Sequence, residues 1–172
     1  MDPHLATLQS TITSAINGLT PEQLTWHPPK KWCTAEILEH LYLTYTGTTK
    51  GFGRVLAANH PLGTTPSLRN RTQAMIVLGF GYMPSGRTAP ANSQPRGLSP
   101  QQVAAEITSK IAEMDEAIAR CQEKFGPHAK VLDHPFLGPF STSQWRKFHL
   151  VHGLHHVKQI RALRDQMHSE SS

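Results

Sequence analysis

Four histidines crowd into eight residues near the end of the chain: His149-Leu150-Val151-His152-Gly153-Leu154-His155-His156. Two histidines four apart on a helix share a face, with Cβ atoms about 5–6 Å from each other. Both rings can then reach one cation at metal–nitrogen distances of about 2.0–2.1 Å. His152 and His156 have that spacing. On a wheel of about 100° per residue with His152 at the origin, Trp145, Phe148, His156, Gln159 and Leu163 lie within about 40°. The face that must enter a core is therefore expected to carry this pair near its centre. His149 and His155 fall about 60° to either side and are the alternative ligands, His155 being turned toward solvent or a neighbouring helix.

A third ligand has to arrive from another helix. His40 in Glu36-Ile37-Leu38-Glu39-His40-Leu41 is the candidate, its wheel neighbours Ile37 and Thr44 marking an inward position. Glu36, one turn earlier, is the candidate catalytic group, as a ligand, as a hydrogen-bond partner to one, or as a base. Gln144 and Gln159 are further candidates to hold ligand rings, although glutamine cannot act as a base. Three neutral imidazoles leave a divalent metal with open coordination positions, as in catalytic rather than closed structural zinc sites. Such a metal lowers the pKa of bound water or activates a thiol. Zinc or nickel is expected, with manganese also admissible, because imidazoles alone do not separate them. The competing reading is a pair of core histidines whose ring nitrogens are satisfied without a metal.

The elements that must position these residues are separated by Pro and Gly. Asp2 caps a first helix with Pro3 at its first position, and Leu5, Leu8, Ile12, Ala15 and Ile16 keep a helical period to about Gly18. Thr20-Pro21-Glu22-Gln23 starts a single turn that Pro28-Pro29 stops. A second long helix begins at Cys33 or Thr34 and runs toward Ala58, weakened by Gly47, Gly51 and Gly53, since each interior glycine costs about 1 kcal/mol against alanine. Residues 61–98 form an irregular excursion rich in Pro and Gly, with one short helix over about Arg69 to Gly79 laying an apolar run on the rest. So long a loop is commonly a lid or an oligomer contact, and a surface excursion with no role is an equal reading. Ser99 and Gln102 make a capping-box pattern, after which Val103, Ile107, Ile111, Met114, Ile118, Cys121 and Phe125 mark one helical face. The last helix follows Ser141 or Thr142 and reaches about Met167. The expected fold is all-α: an antiparallel four-helix bundle, one domain over 1–172, with the long loop between its second and third long helices.

Length and composition agree with this and exclude other classes. A chain of 172 residues fits one domain. The longest apolar run, Ala74 to Met83, is too short to cross a bilayer, and the opening Met1-Asp2-Pro3-His4 has no signal-peptide character. Cys33 and Cys121 form no CxxC pair, which suggests a reducing, cytoplasmic setting. Seventeen Lys+Arg against twelve Asp+Glu give a net charge of +5. The basic residues are scattered, however, and Lys158, Arg161 and Arg164 make only a short patch, so nucleic acid is not the expected partner. His4, His27, His60, His128, His134 and His168 sit at ends, turns and loops and need no special role.

The stretches Trp26-His27-Pro28-Pro29 and Trp32-Cys33-Thr34-Ala35-Glu36-Ile37-Leu38-Glu39-His40-Leu41 resemble the opening signature of the DinB-like (DinB/YfiT) superfamily. So does the run from His134-Pro135-Phe136-Leu137-Gly138-Pro139-Phe140-Ser141-Thr142 through Trp145. Its continuation, Phe148-His149-Leu150-Val151-His152 to Ile160, is especially similar to the DUF1569 branch. The resemblance implies a four-helix bundle that often dimerises and a divalent metal on three histidines, carried over here as His40, His152 and His156. It also implies a metal-dependent hydrolase, a low-molecular-weight-thiol S-transferase or a cofactor-dependent isomerase, with a small-molecule substrate or thiol cofactor as partner. The alternative function is a non-catalytic metal- or ligand-binding module. Cys33-Thr34 stands where relatives commonly have Ser. A thiol at a helix N-terminus can be acidified and reactive; the plainer reading has Thr34 capping and Cys33 packed.

Overall fold

The computed structural model describes residues 1–83 and 88–170, the side chain of Glu170 excepted; residues 84–87 of the expected loop, Pro84 among them, lie outside the described residues. The chain is predominantly helical. Four long helices, α1 (Pro3–Ile16), α3 (Thr34–Ala58), α5 (Pro100–Phe125) and α6 (Thr142–Glu170), carry most of it. The short α2 (Pro21–Thr25) and α4 (Leu68–Ala74) complete the set, with a π-helical turn Met75–Gly79 and a 3-10 turn Ala91–Ser93. α3 packs along α5 and α1 along α6, with further contacts between α1 and α5, α5 and α6, and α3 and α6. Among the described residues no helix is long and apolar enough to cross a membrane.

The caps explain where the helices begin. Asp2 Oδ1 accepts the His4 amide at 2.9 Å, and Thr20 with Gln23 forms a reciprocal capping box at α2. At α3 the cap is Cys33, not Thr34. Its backbone is extended and its Sγ accepts the Glu36 amide at 3.4 Å. Ser99 Oγ accepts the Gln102 amide at α5, but the Gln102 side chain turns away to Glu106, so only half of the expected box forms. Ser141 caps α6, its Oγ accepting the Gln144 amide and its own amide donating to Gln144 Oε1 at 3.0 Å.

Burial follows the helical periods on α1 and α5. Leu5, Leu8, Ile12 and Ala15 are buried on α1, as are Val103, Ile107, Ile111, Met114, Ile118 and Cys121 on α5. Each large side chain removed from water contributes about 1.5–3 kcal/mol. α3 runs unbroken despite its glycines. The expected short helix is α4 and the π-helical turn; only part of its apolar run is covered, with Val77 and Leu78 buried but Leu68, Met75, Phe80 and Tyr82 exposed.

Two features escape a helical reading. Between α5 and α6 the chain makes an antiparallel hairpin, β1 (Leu132–His134) with β2 (Gly138–Phe140). Its turn is organised by His134, whose Nδ1 accepts the amides of Phe136 and Leu137 at 3.2 Å each. The other is a buried ionic junction: Arg146 Nε on α6 donates to Asp115 Oδ1 on α5 at 2.9 Å, and Arg146 Nη1 donates to Gln122 Oε1 at 2.7 Å. The Asp2 amide donates to Asp115 Oδ2 at 2.8 Å. One carboxylate thus ties α5 to α6 and to the start of α1.

Candidate metal centre

The buried face of α6 is not the one the wheel selected. Trp145, Arg146, Phe148, His149, Gly153, His156, Val157, Ile160 and Leu163 are buried, whereas His152 is half-buried. That face is centred close to His149, about 60° round from His152. The rotation has two causes, Arg146 and Gly153, neither of which reads as a core residue. Arg146 is drawn inward by Asp115. Gly153 lets α1 approach so closely that a Cβ there would collide with the Leu8 side chain. His149, fully buried, stacks on Trp145 and meets Tyr45 edge-on. Neither of its ring nitrogens has a hydrogen-bond partner.

His152, at the edge of the buried face, meets His156 and His40. One ligand atom from each of the three lies within 4.8 Å of the others. His40 Nε2 stands 3.2 Å from His152 Nε2, and His156 Nε2 stands 3.1 Å from the same atom. Two nitrogens at about 2.05 Å from one ion are about 3.3 Å apart in tetrahedral and about 2.9 Å in right-angled coordination. Both separations to His152 Nε2 fall between these limits.

Hydrogen bonds on the far side of two rings fix which nitrogen faces inward. His40 Nδ1 lies 2.8 Å from the Ser93 carbonyl, which only accepts, so Nδ1 carries the proton and Nε2 presents a lone pair. His156 Nδ1 stands 2.8 Å from Gln159 Oε1 in the same relation. Two lone pairs therefore point at His152 Nε2, which can bear at most one proton. Without a cation one acceptor faces nothing that donates; with one, all three inward nitrogens are satisfied, and the His152 proton sits on Nδ1, which is buried without a partner. The ring orientation by an outer carbonyl is that of metal-ligating histidines generally.

The electrostatics favour the neutral ligands. Burial pushes the His40 imidazolium pKa down, slightly opposed by the Ser93 carbonyl. Burial first, and His40 next, bring His156 to about 3. His152 is lowered by burial and then by the neighbouring histidines. Burial thus favours the neutral imidazoles, the form that ligates a metal.

The other expected residues have different employment. Glu36 Oε2 accepts the Cys33 amide at 2.8 Å, the reciprocal half of the α3 cap, and Gln144 plays the same part at α6 while also accepting from Lys130. His155 stands outside the cluster, its Nε2 accepting from Gln159 Nε2 at 3.2 Å. Gln159 thereby links His156 to His155. Cys33 is buried and its thiol is pushed up, chiefly by burial, which is the opposite of an activated nucleophile. Arg164 of the basic patch donates to the Ala15 carbonyl at 2.8 Å and tethers α6 to α1. The structural residues that sequence reasoning missed are Ser93, acting through its backbone carbonyl, and Glu39, which neighbours His40.

Fold and site together define a helical protein with three histidines, from two helices, placed to hold a metal ion. Residues 4–162 match the family model described as a protein of unknown function, DUF1569, and the chain belongs to that family. Neither a curated protein nor a solved structure matches it.

Proposed function

We propose that this chain is a divalent-metal protein of the DinB-like type, its four long helices forming that superfamily's bundle as one domain, and that it is a metal-dependent enzyme. One observation carries the reading: the Nε2 atoms of His40 and His156 stand 3.2 and 3.1 Å from His152 Nε2, all three ligand atoms lie within 4.8 Å of one another, and the Nδ1 protons of His40 and His156 are committed to carbonyls. His40, His152 and His156 would hold the ion, with zinc or nickel preferred and manganese admissible. A bound divalent cation supplies Lewis acidity to a water or a thiol. The protein's own groups orient the ligands: Ser93 holds His40, Gln159 holds His156, and Trp32 packs against the His40 ring. Three imidazoles leave a divalent ion with open coordination positions, which suits hydrolysis or transfer to a low-molecular-weight thiol. The exposed Leu68, Met75, Phe80 and Tyr82 offer an apolar face to a second copy in a homodimer.

A non-catalytic metal-binding module is the second reading. What favours it is the composition of the cluster, three histidines with no carboxylate, and the use of Glu36 in a helix cap. Elemental analysis of untagged protein, with His152→Ala and His156→Ala alongside, tests the centre. Stoichiometric metal in the wild type and its loss in both folded variants is expected; full retention in both would sink the reading. Turnover of esters, amides or thiol–electrophile pairs that disappears in the same variants separates the enzyme from the module.

A further inference from the structure

Glu39 is nearly fully buried, with 2% of its surface exposed, yet among the described residues no lysine or arginine forms an ion pair with it. Its carboxylate instead receives three consecutive backbone amides. Oε1 accepts from Arg96 at 2.6 Å, and Oε2 accepts from Gly97 and Leu98 at 3.1 Å each. Three converging amides form the concave donor cluster that suits an anion, and the bonds are strengthened by the full charge. The convergence depends on Gly97, which has φ +84°, a conformation costly for a residue with a Cβ.

The next residue of α3, His40, grips the same segment three residues earlier, at the Ser93 carbonyl. Ser93 is itself locked, its amide and hydroxyl both donating to the Pro90 carbonyl at 2.9 and 3.1 Å. Adjacent side chains of one helix thus hold one strap at two points. The first point, Glu39, contacts no ligand ring; the second is the hydrogen bond that turns His40 Nε2 toward His152.

We infer that Glu39 is a positioning residue for the metal centre: by clamping the amides of Arg96, Gly97 and Leu98 it keeps the Ser93 carbonyl on His40 Nδ1. The inference rests on the metal reading for its consequence but not for its geometry. Coupling of this kind is reciprocal, so occupation of the centre should in turn steady the strap. In Glu39→Gln one carboxylate oxygen becomes an NH2 group facing amide donors, and the strap should lift. Gly97→Ala strains the strap from its exposed side without touching α3, where a Cβ meets nothing within 4 Å.

Two measurements on the full chain test the clamp. The first is the ring 15N spectrum of His40 in metal-free protein, where wild type should show a protonated Nδ1 and both variants a mixture of tautomers. The second is zinc affinity by chelator competition, which should fall about 10–100-fold in the variants, the usual loss when a ligand's outer hydrogen bond is removed. Zinc should also slow hydrogen exchange at the 96–98 amides of the wild type. A Glu39→Gln chain that fails to fold leaves Gly97→Ala to decide. An unchanged His40 tautomer in a folded variant overturns the clamp whether or not zinc binds. If the wild type binds no zinc, the metal reading fails separately, and the tautomer result still decides the role of Glu39.

Discussion

His40 and His152 stand 112 residues apart in the chain, and their Nε2 atoms lie 3.2 Å apart. The contact joins the first half of α3 to the middle of α6, at the edge of the core and not at its centre. Two neutral imidazoles placed so, with a third at 3.1 Å, are a weak hydrogen-bonding arrangement and a good chelating one.

Gln159 should matter to the metal although it never touches it. Its side chain is exposed and its Oε1 holds His156 Nδ1, so Gln159→Leu should leave thermal stability within about 0.5 kcal/mol. Zinc affinity should fall about 10–100-fold. Equal affinities in a chelator competition would show that His156 is oriented by packing alone.

His149 should prove to be a packing residue. Its two nitrogens are buried and unpaired, and an apolar ring of similar shape removes that desolvation penalty of about 1–3 kcal/mol. His149→Phe should therefore be neutral or stabilising in urea unfolding and should keep the wild-type metal content. Loss of the metal in this variant would make His149 a ligand.

Acid should destabilise the metal-free protein well before the carboxylates titrate. Burial holds His134 at about 4 and, with His134 as a lesser cause, His149 at about 3, against an ordinary 6.5. The folded pKa values are depressed, so below pH 6.5 the unfolded chain binds protons that the folded chain refuses. Stability is full above that point and declines as pH falls toward 4. Carrying His134 from 6.5 to about 4 corresponds to about 3 kcal/mol at the acid end. Urea midpoints measured with a chelator at pH 7, 6 and 5 should fall in that order, and His134→Phe should flatten the trend.

Gly153 should be intolerant of a single methyl group. Gly153→Ala drives a Cβ into the Leu8 side chain, and overpacking of this kind costs about 1–3 kcal/mol. Leu8→Ala makes room for it, so the double variant should be less destabilised than the sum of the two single changes by about 1 kcal/mol or more. Strict additivity in thermal unfolding would mean that the helices separate instead of sharing the collision.

Much of the framework was legible in the chain itself. The i,i+4 pair His152 and His156, the inward position of His40, the caps at Asp2 and Ser99, a cap at Ser141 or Thr142, and the period of α5 all follow from local rules of helix geometry. These rules act over a few residues and need no knowledge of the neighbours. The same rules centred the α6 core face on His152, because a wheel counts arginine and glycine as surface. Arg146 enters through Asp115, and Gly153 through Leu8, so the face turned toward His149. Glu36, a candidate catalytic group, and Gln144, a candidate to hold a ligand ring, stand three residues beyond a cap, a place that already offers each a local amide.

The sequence by itself determined which imidazoles could share a helix face, because spacing along one helix is fixed by 3.6 residues per turn. Only the tertiary structure decided which nitrogen of each faces inward. That depends on carbonyl acceptors, of which Ser93, brought to His40 by the clamp of Glu39 on Arg96, Gly97 and Leu98, comes from a segment without helical periodicity. A backbone oxygen has no residue type, so no pattern of side chains could have announced it.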